Sequence, residues 1–198
     1  MDAVRVALLR EVLAGTEWLG ATRRFAGVLR GSVVAHGGGL LLVGTPEDEP
    51  WHLAAHLVDE AAWSGTPELA PTLVRHHARP GAPPHLAVGP GRIEAARRGE
   101  TLLVVAPKEP EPLLQRVHDA RRAGVTVLAL GAGGGELAAM AHDTLAVPED
   151  AELDLDTVQH LVSAAAGENA GSLRVRRGFR DRLARLAEAL TAPPPAPW

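Results

Sequence analysis

The 198-residue sequence has no cysteine. Disulfides, thiolate nucleophiles and cysteine-ligated metals are therefore excluded, and any metal would need histidine and carboxylate ligands. It also has no tyrosine and only two phenylalanines. Together with its abundant alanine, glycine, proline and arginine, this marks a compositional bias, so pattern carries more weight than composition. No apolar run approaches the roughly 20 residues of a membrane helix. The opening MDAVRVALLREVLAG carries Asp2, Arg5, Arg10 and Glu11; it lacks the apolar core of a signal peptide and reads as an amphipathic helix. A cytoplasmic location with no membrane partner is the default expectation. Net charge is −4 with both signs interspersed. No basic face stands out, so nucleic acid is not an expected partner.

What is present is a globular hydrophobic fraction of 46% and a repeating order of short apolar runs and helical patterns. Residues 1–30 read as helical, with a break near Gly15. Leu40–Val43 is continuous and apolar between turn residues, as in a strand buried on both faces. Pro50–Trp63 is helical. His85–Val88 is the second expected strand, followed by a short helix around Ile93–Arg98. Thr101–Ala106, Val125–Leu130 and Thr144–Val147 complete five strands. Helices are expected over Pro112–Ala123, Glu136–Ala141, Asp154–Ala166 and Phe179–Leu190. The pattern predicts one domain over 1–191: an α/β core at 35–166, a C-terminal helix at 178–190, and a proline-rich tail at 192–198. Strands separated by helices indicate a three-layer αβα sandwich around a five-stranded parallel sheet, flavodoxin-like, with extra N- and C-terminal helices. A ligand then belongs at the carboxyl ends of the strands, among Gly44–Pro50, Gly89–Arg92, Pro107–Glu111 and Gly131–Gly135.

Several local features have modest readings. Glu47–Glu49 suit the first turn of a helix, where acids complement the dipole, and the same acids could select a cationic or hydroxyl-rich ligand. GAGGGE at Gly131–Glu136 lacks the glycine spacing of a dinucleotide loop and reads as a flexible connection. His76 and His77, in a proline-bounded loop, are expected to be solvated, and Arg92, Arg97 and Arg98 to lie at the surface. Trp51 and Trp63 read as packing or interface residues.

The segment RGETLLVVAPKEPEPLLQRVHDARRAGVTVLALGAGGGELAAMAHDTLAVPED, Arg98 to Asp150, resembles the second half of sugar isomerase (SIS) domains. Gly99-Glu100, Gly124–Leu130, Leu137–Asp143 and Val147-Pro148 stand where that family has its ordered landmarks. GLLLVGT and Ser64-Gly65-Thr66-Pro67 are similar to landmarks of its first half. The resemblance spans residues 35–165 and implies binding of a carbohydrate derivative by a homodimer or homotetramer. Family members hold phosphate through a Gly-Ser pair after the first strand and a Ser-x-Ser loop after the third. Here those places read GTPEDEP and PKEPEP. The expected ligand-binding residues are therefore Thr45, Glu47, Asp48, Lys108 and Glu109, with Lys108 the one compensating cation. Prolines remove N–H donors from both loops, and an ordinary phosphate pocket is not expected.

His52, His56 and Glu60 are spaced by four and share one helix face. The phosphoheptose isomerase branch has a His-x-x-x-Glu on that helix, matching either His56 with Glu60 or, one turn earlier, His52 with His56. It also has a Gln and a His eight residues apart on the late helix, where Glu152 and His160 stand. The resemblance implies zinc as a cofactor held by His52, His56 and Glu152, with Glu60 as base and His160 as acid in an aldose–ketose isomerisation through an enediol. Histidines spaced by four also occur at interfaces, making ordinary hydrogen bonds. Three functions stay open: an isomerase with an altered pocket, a non-catalytic carbohydrate binder, or a regulatory or structural homo-oligomer whose vestigial cleft is filled by prolines.

Overall fold

A computed structural model describes residues 17–77, 81, 83, 87–131, 133–147 and 153–168. The expected C-terminal helix and tail, residues 1–16 and Glu152 lie outside the described residues. The chain divides into two compact units, and the larger, Thr22–Gly167, holds the sheet. In chain order the elements are α1 (Glu17–His36), β1 (Leu40–Val43), α2 (Trp51–Ser64), a 3-10 turn (Pro67–Leu69), β2 (Pro71–Val74), α3 (Gly91–Glu94), β3 (Thr101–Ala106), α4 (Glu111–Arg122), β4 (Thr126–Gly131), α5 (Glu136–Met140), β5 (Asp143–Ala146) and α6 (Leu155–Ala166).

The five strands form one sheet in the order β2-β1-β3-β4-β5, and every pairing is parallel. The α/β architecture read from the sequence is thus present. The unbroken apolar runs have the expected cause: all four residues of β1 and all six of β3 are buried, because helices cover both faces. Alternate side chains serve alternate faces. Leu41, Val43, Leu102 and Val104 join Ile93 of α3, Leu113 and Val117 of α4 and Leu137 of α5 in one core cluster. The intervening residues, such as Leu40, Leu42 and Leu103, are equally buried but stand outside that cluster.

One strand differs from expectation. The second strand is Pro71–Val74, not His85–Val88: Val88 is outside any strand, its carbonyl accepting from the Arg75 N–H at 2.8 Å, and residues 84–86 are not described. Proline has no N–H for the ladder, but Pro71 opens a strand at the sheet edge, where this is tolerated. Helix α2 is ended by Gly65, left-handed at φ 69°, whose N–H closes onto the Ala61 carbonyl. α6 begins with Asp154, whose carboxylate accepts from the Thr157 N–H at 2.7 Å, a side-chain N-cap.

Candidate functional site

The chain leaves β1 for the edge strand β2, then returns to β3 on the other side of β1. Loops after β1 and β3 consequently diverge, opening a crevice at the carboxyl edge of the sheet. A cleft of about 580 Å³ lies there, with Val105 of β3 among its lining residues. Its other walls come from the loop after β1, the start of α2, the loop after β2 and the first turns of α6. Glu47, Asp48, Glu49 and Asp156 bring carboxylates to this lining, against the guanidinium of Arg75, the only one among the described lining residues. His52, His77 and Gln159 add further hydrogen-bonding groups.

The β1 loop is braced by its own polar groups. The Thr45 N–H donates to the Asp48 carbonyl at 3.2 Å, and the Asp48 N–H donates to Thr45 Oγ1 at 3.1 Å. A Cβ at position 44 would overlap the Asp48 carbonyl, so this tight return needs glycine. Thr45 is buried and holds the loop's shape, while Glu47 and Asp48 are exposed along the cleft.

Glu49 ties this loop to the one after β2. Its Oε2 accepts from Arg75 Nε at 3.1 Å and pairs with Nη2 at 3.0 Å. Oε1 accepts the backbone N–H of His76 at 3.0 Å. The Arg75 guanidinium carbon lies 4.2 Å from the centroid of the Trp51 ring, a cation–π contact. His76 Nε2 meets the Gly44 carbonyl at 2.8 Å, so it carries the ring proton and donates. The expectation that His76 is solvated is corrected: it is half-buried and latches two loops together, whereas His77 is exposed in the cleft lining. Arg75 is a cleft residue that the sequence pattern does not reveal, because the strand that delivers it is short, opens on Pro71 and is only half covered.

The loop after β3 behaves differently. Lys108 is exposed and is not among the residues lining the cleft. Glu109 turns to α5: its Oε2 accepts the Glu136 N–H at 2.8 Å, and its carboxylate fills the space a Cβ at Gly135 would need. A carboxylate here complements the positive end of the helix. Arg92 pairs with Glu100, which also accepts the Arg97 N–H at 2.7 Å.

Helices α2 and α6 pack side by side and bring three histidines together. His56 and His160 meet edge-to-face with centroids 4.6 Å apart, and His52 stacks on His160 at 6.2 Å. Burial lowers the pKa of His56, reinforced by His52 and opposed by Asp59. Burial also lowers that of His160, reinforced by His56 and His52 and opposed by Asp156 and Asp154. Glu60 lies one turn beyond His56 on α2. It is buried against Gly167, where a Cβ would overlap its carboxylate. Gly167 follows the last residue of α6, seven residues beyond His160. Among the described residues, no three His, Asp or Glu side chains converge closely enough to hold a metal ion. Glu152, one of the zinc ligands that the resemblance implies, lies outside the described residues.

No family model matches the sequence, and no curated protein matches it. Solved structures do. The chain is similar to the sugar isomerase domain of an RpiR transcription factor from Sphaerobacter thermophilus, with a TM-score of 0.51 and 14% identity over 84% of this chain and 86% of that one. The fold is that of a SIS domain. It is also similar to a proposed phosphosugar isomerase from Silicibacter pomeroyi DSS-3, with a TM-score of 0.50 and 17% identity, covering 94% of this chain and 53% of that one. At these identities the likeness establishes architecture, and activity has to be argued from the site. No helix among the described residues is long and apolar enough to cross a membrane.

Proposed function

We propose that this chain binds a carbohydrate derivative in the cleft between the carboxyl ends of β1 and β3. The observation that carries the reading is an open cleft of about 580 Å³ at the point where strand order reverses, within the usual size range of small-molecule sites. Its wall is rich in carboxylate, imidazole and amide groups, which suit a ligand with many hydroxyls. A vestigial cleft filled by prolines is disfavoured, since Pro46 and Pro50 border open space.

The finer form of the reading is isomerase-like turnover. Acid–base groups on the cleft wall are His52 and His77, with the lowered-pKa pair His56 and His160 adjoining His52. Imidazoles uncharged at neutral pH can accept a proton from carbon next to a carbonyl.

The test is thermal melting against a panel of five- to seven-carbon sugars and their derivatives. A ligand at one hundred times its Kd stabilises by about 2.7 kcal/mol, which raises Tm by roughly 5–10 °C in a domain of this size. No shift with any member would overturn the binding reading. Incubating a binder in D2O tests turnover: incorporation of deuterium at carbon 2 supports isomerisation, and its absence leaves a binding protein.

A further inference from the structure

Resting on that reading, we infer that the cleft selects a polyhydroxylated ligand without a phosphate group, with an amine-bearing sugar favoured over a neutral one. Several of the groups that could receive a phosphate dianion are already engaged by the protein itself. Arg75, the one guanidinium among the described lining residues, is held by Glu49 at 3.0 Å and stacked on Trp51. The Thr45 hydroxyl is buried and accepts the Asp48 N–H at 3.1 Å. At the start of α2, Pro46 and Pro50 supply no N–H, and the Trp51 N–H is turned back to the Glu49 carbonyl at 2.9 Å. Across the sheet edge, the Glu136 N–H of α5 is taken by Glu109 at 2.8 Å.

The exposed carboxyl and lysine groups near the cleft divide by sign. Glu47, Asp48 and Asp156 are exposed in the cleft lining, and Lys108 is not part of it. A dianion would be placed close to three carboxylates with no uncommitted cation in the described lining. A sugar ammonium would meet the same carboxylates as partners, and sugar hydroxyls can donate to them. Coulomb energies at separations of a few ångström near a protein surface make this a difference on the order of tenfold or more in affinity.

The experiment is calorimetric titration at pH 8, where ordinary imidazoles are uncharged, using matched series of each sugar: free, 2-amino and terminal phosphate. Inorganic phosphate serves as a fourth probe. At least one amino sugar is expected to bind, with its phosphate counterpart weaker by about tenfold or more. In the variant carrying Glu47→Gln and Asp48→Asn, which keeps the backbone contacts of the loop, that ratio is expected to shrink at least about fivefold as two like charges are removed. A sugar phosphate binding as tightly as its amino counterpart overturns this inference and leaves the carbohydrate reading standing. No binding by any member overturns both. An unchanged ratio in the double variant overturns the selection by Glu47 and Asp48.

Discussion

The latch between the loops after β1 and β2 should be a measurable part of the protein's stability. In Glu49→Ala, the Arg75 guanidinium loses two contacts, at 3.1 and 3.0 Å, and the His76 N–H loses its acceptor at 3.0 Å. Both side chains of the pair are largely shielded, with 12% and 13% of their surface exposed, so screening by water and salt is incomplete. A hydrogen bond to a charged group contributes about 1.5–3 kcal/mol, and an orphaned backbone donor costs about 1–3 kcal/mol. The cleft is open, so water reaches the freed N–H and the second figure falls at its low end. The expected loss is about 3 kcal/mol. For a chain of this size that lowers Tm by roughly 6–12 °C. Calorimetric melting of wild type, Glu49→Ala, Arg75→Ala and the double variant completes a cycle that cancels the lost Trp51 stack. The coupling energy should be about 1–3 kcal/mol. A coupling below about 0.5 kcal/mol, the scatter of independent sites, would refute the latch.

Three further outcomes follow from the same geometry. Burial holds the pKa values of His56 and His160 below the ordinary imidazole value, so just below about pH 6.5 the unfolded chain binds more protons than the folded one. Stability should therefore fall as pH drops from about 6.5 toward the folded-state values and stay level above it; Tm against pH should be flatter in His56→Asn with His160→Asn, and equal slopes would contradict this. Gly167→Ala should cost about 1–3 kcal/mol by overpacking against the buried Glu60 carboxylate, measured by urea unfolding. Leu103→Ala, at a fully buried position of β3, should cost about 2–5 kcal/mol in the same assay, and a loss below 1 kcal/mol would contradict its place in the core.

The sheet was legible because its central strands are fully buried. Leu40–Val43 and Thr101–Ala106 read as strands directly, since residues on both faces must be apolar. β2 was hidden by its edge position: it is four residues long, begins with Pro71 and is only half covered, so HLAV further along looked the better strand. That displacement also concealed Arg75. Spacing by four identified the face shared by His52 and His56, and the resemblance pointed to His160 on another helix. Spacing did not show that Glu60, one turn further, would lie against Gly167. Nor could local sequence show that His76 would reach Gly44 or that Glu109 would reach Glu136. Those partners lie 32 and 27 residues away and are set by the sheet's topology rather than by neighbouring residues.

The most direct test of the account is an NMR titration with the tightest-binding sugar of the panel, read at the amides of Glu47, His52 and Asp156, the Val105 methyls and the Trp51 indole. Saturable shifts concentrated at these five residues, around the cleft at the carboxyl ends of β1 and β3, are expected. Shifts clustered elsewhere, or a spectrum unchanged by every sugar, would contradict the account.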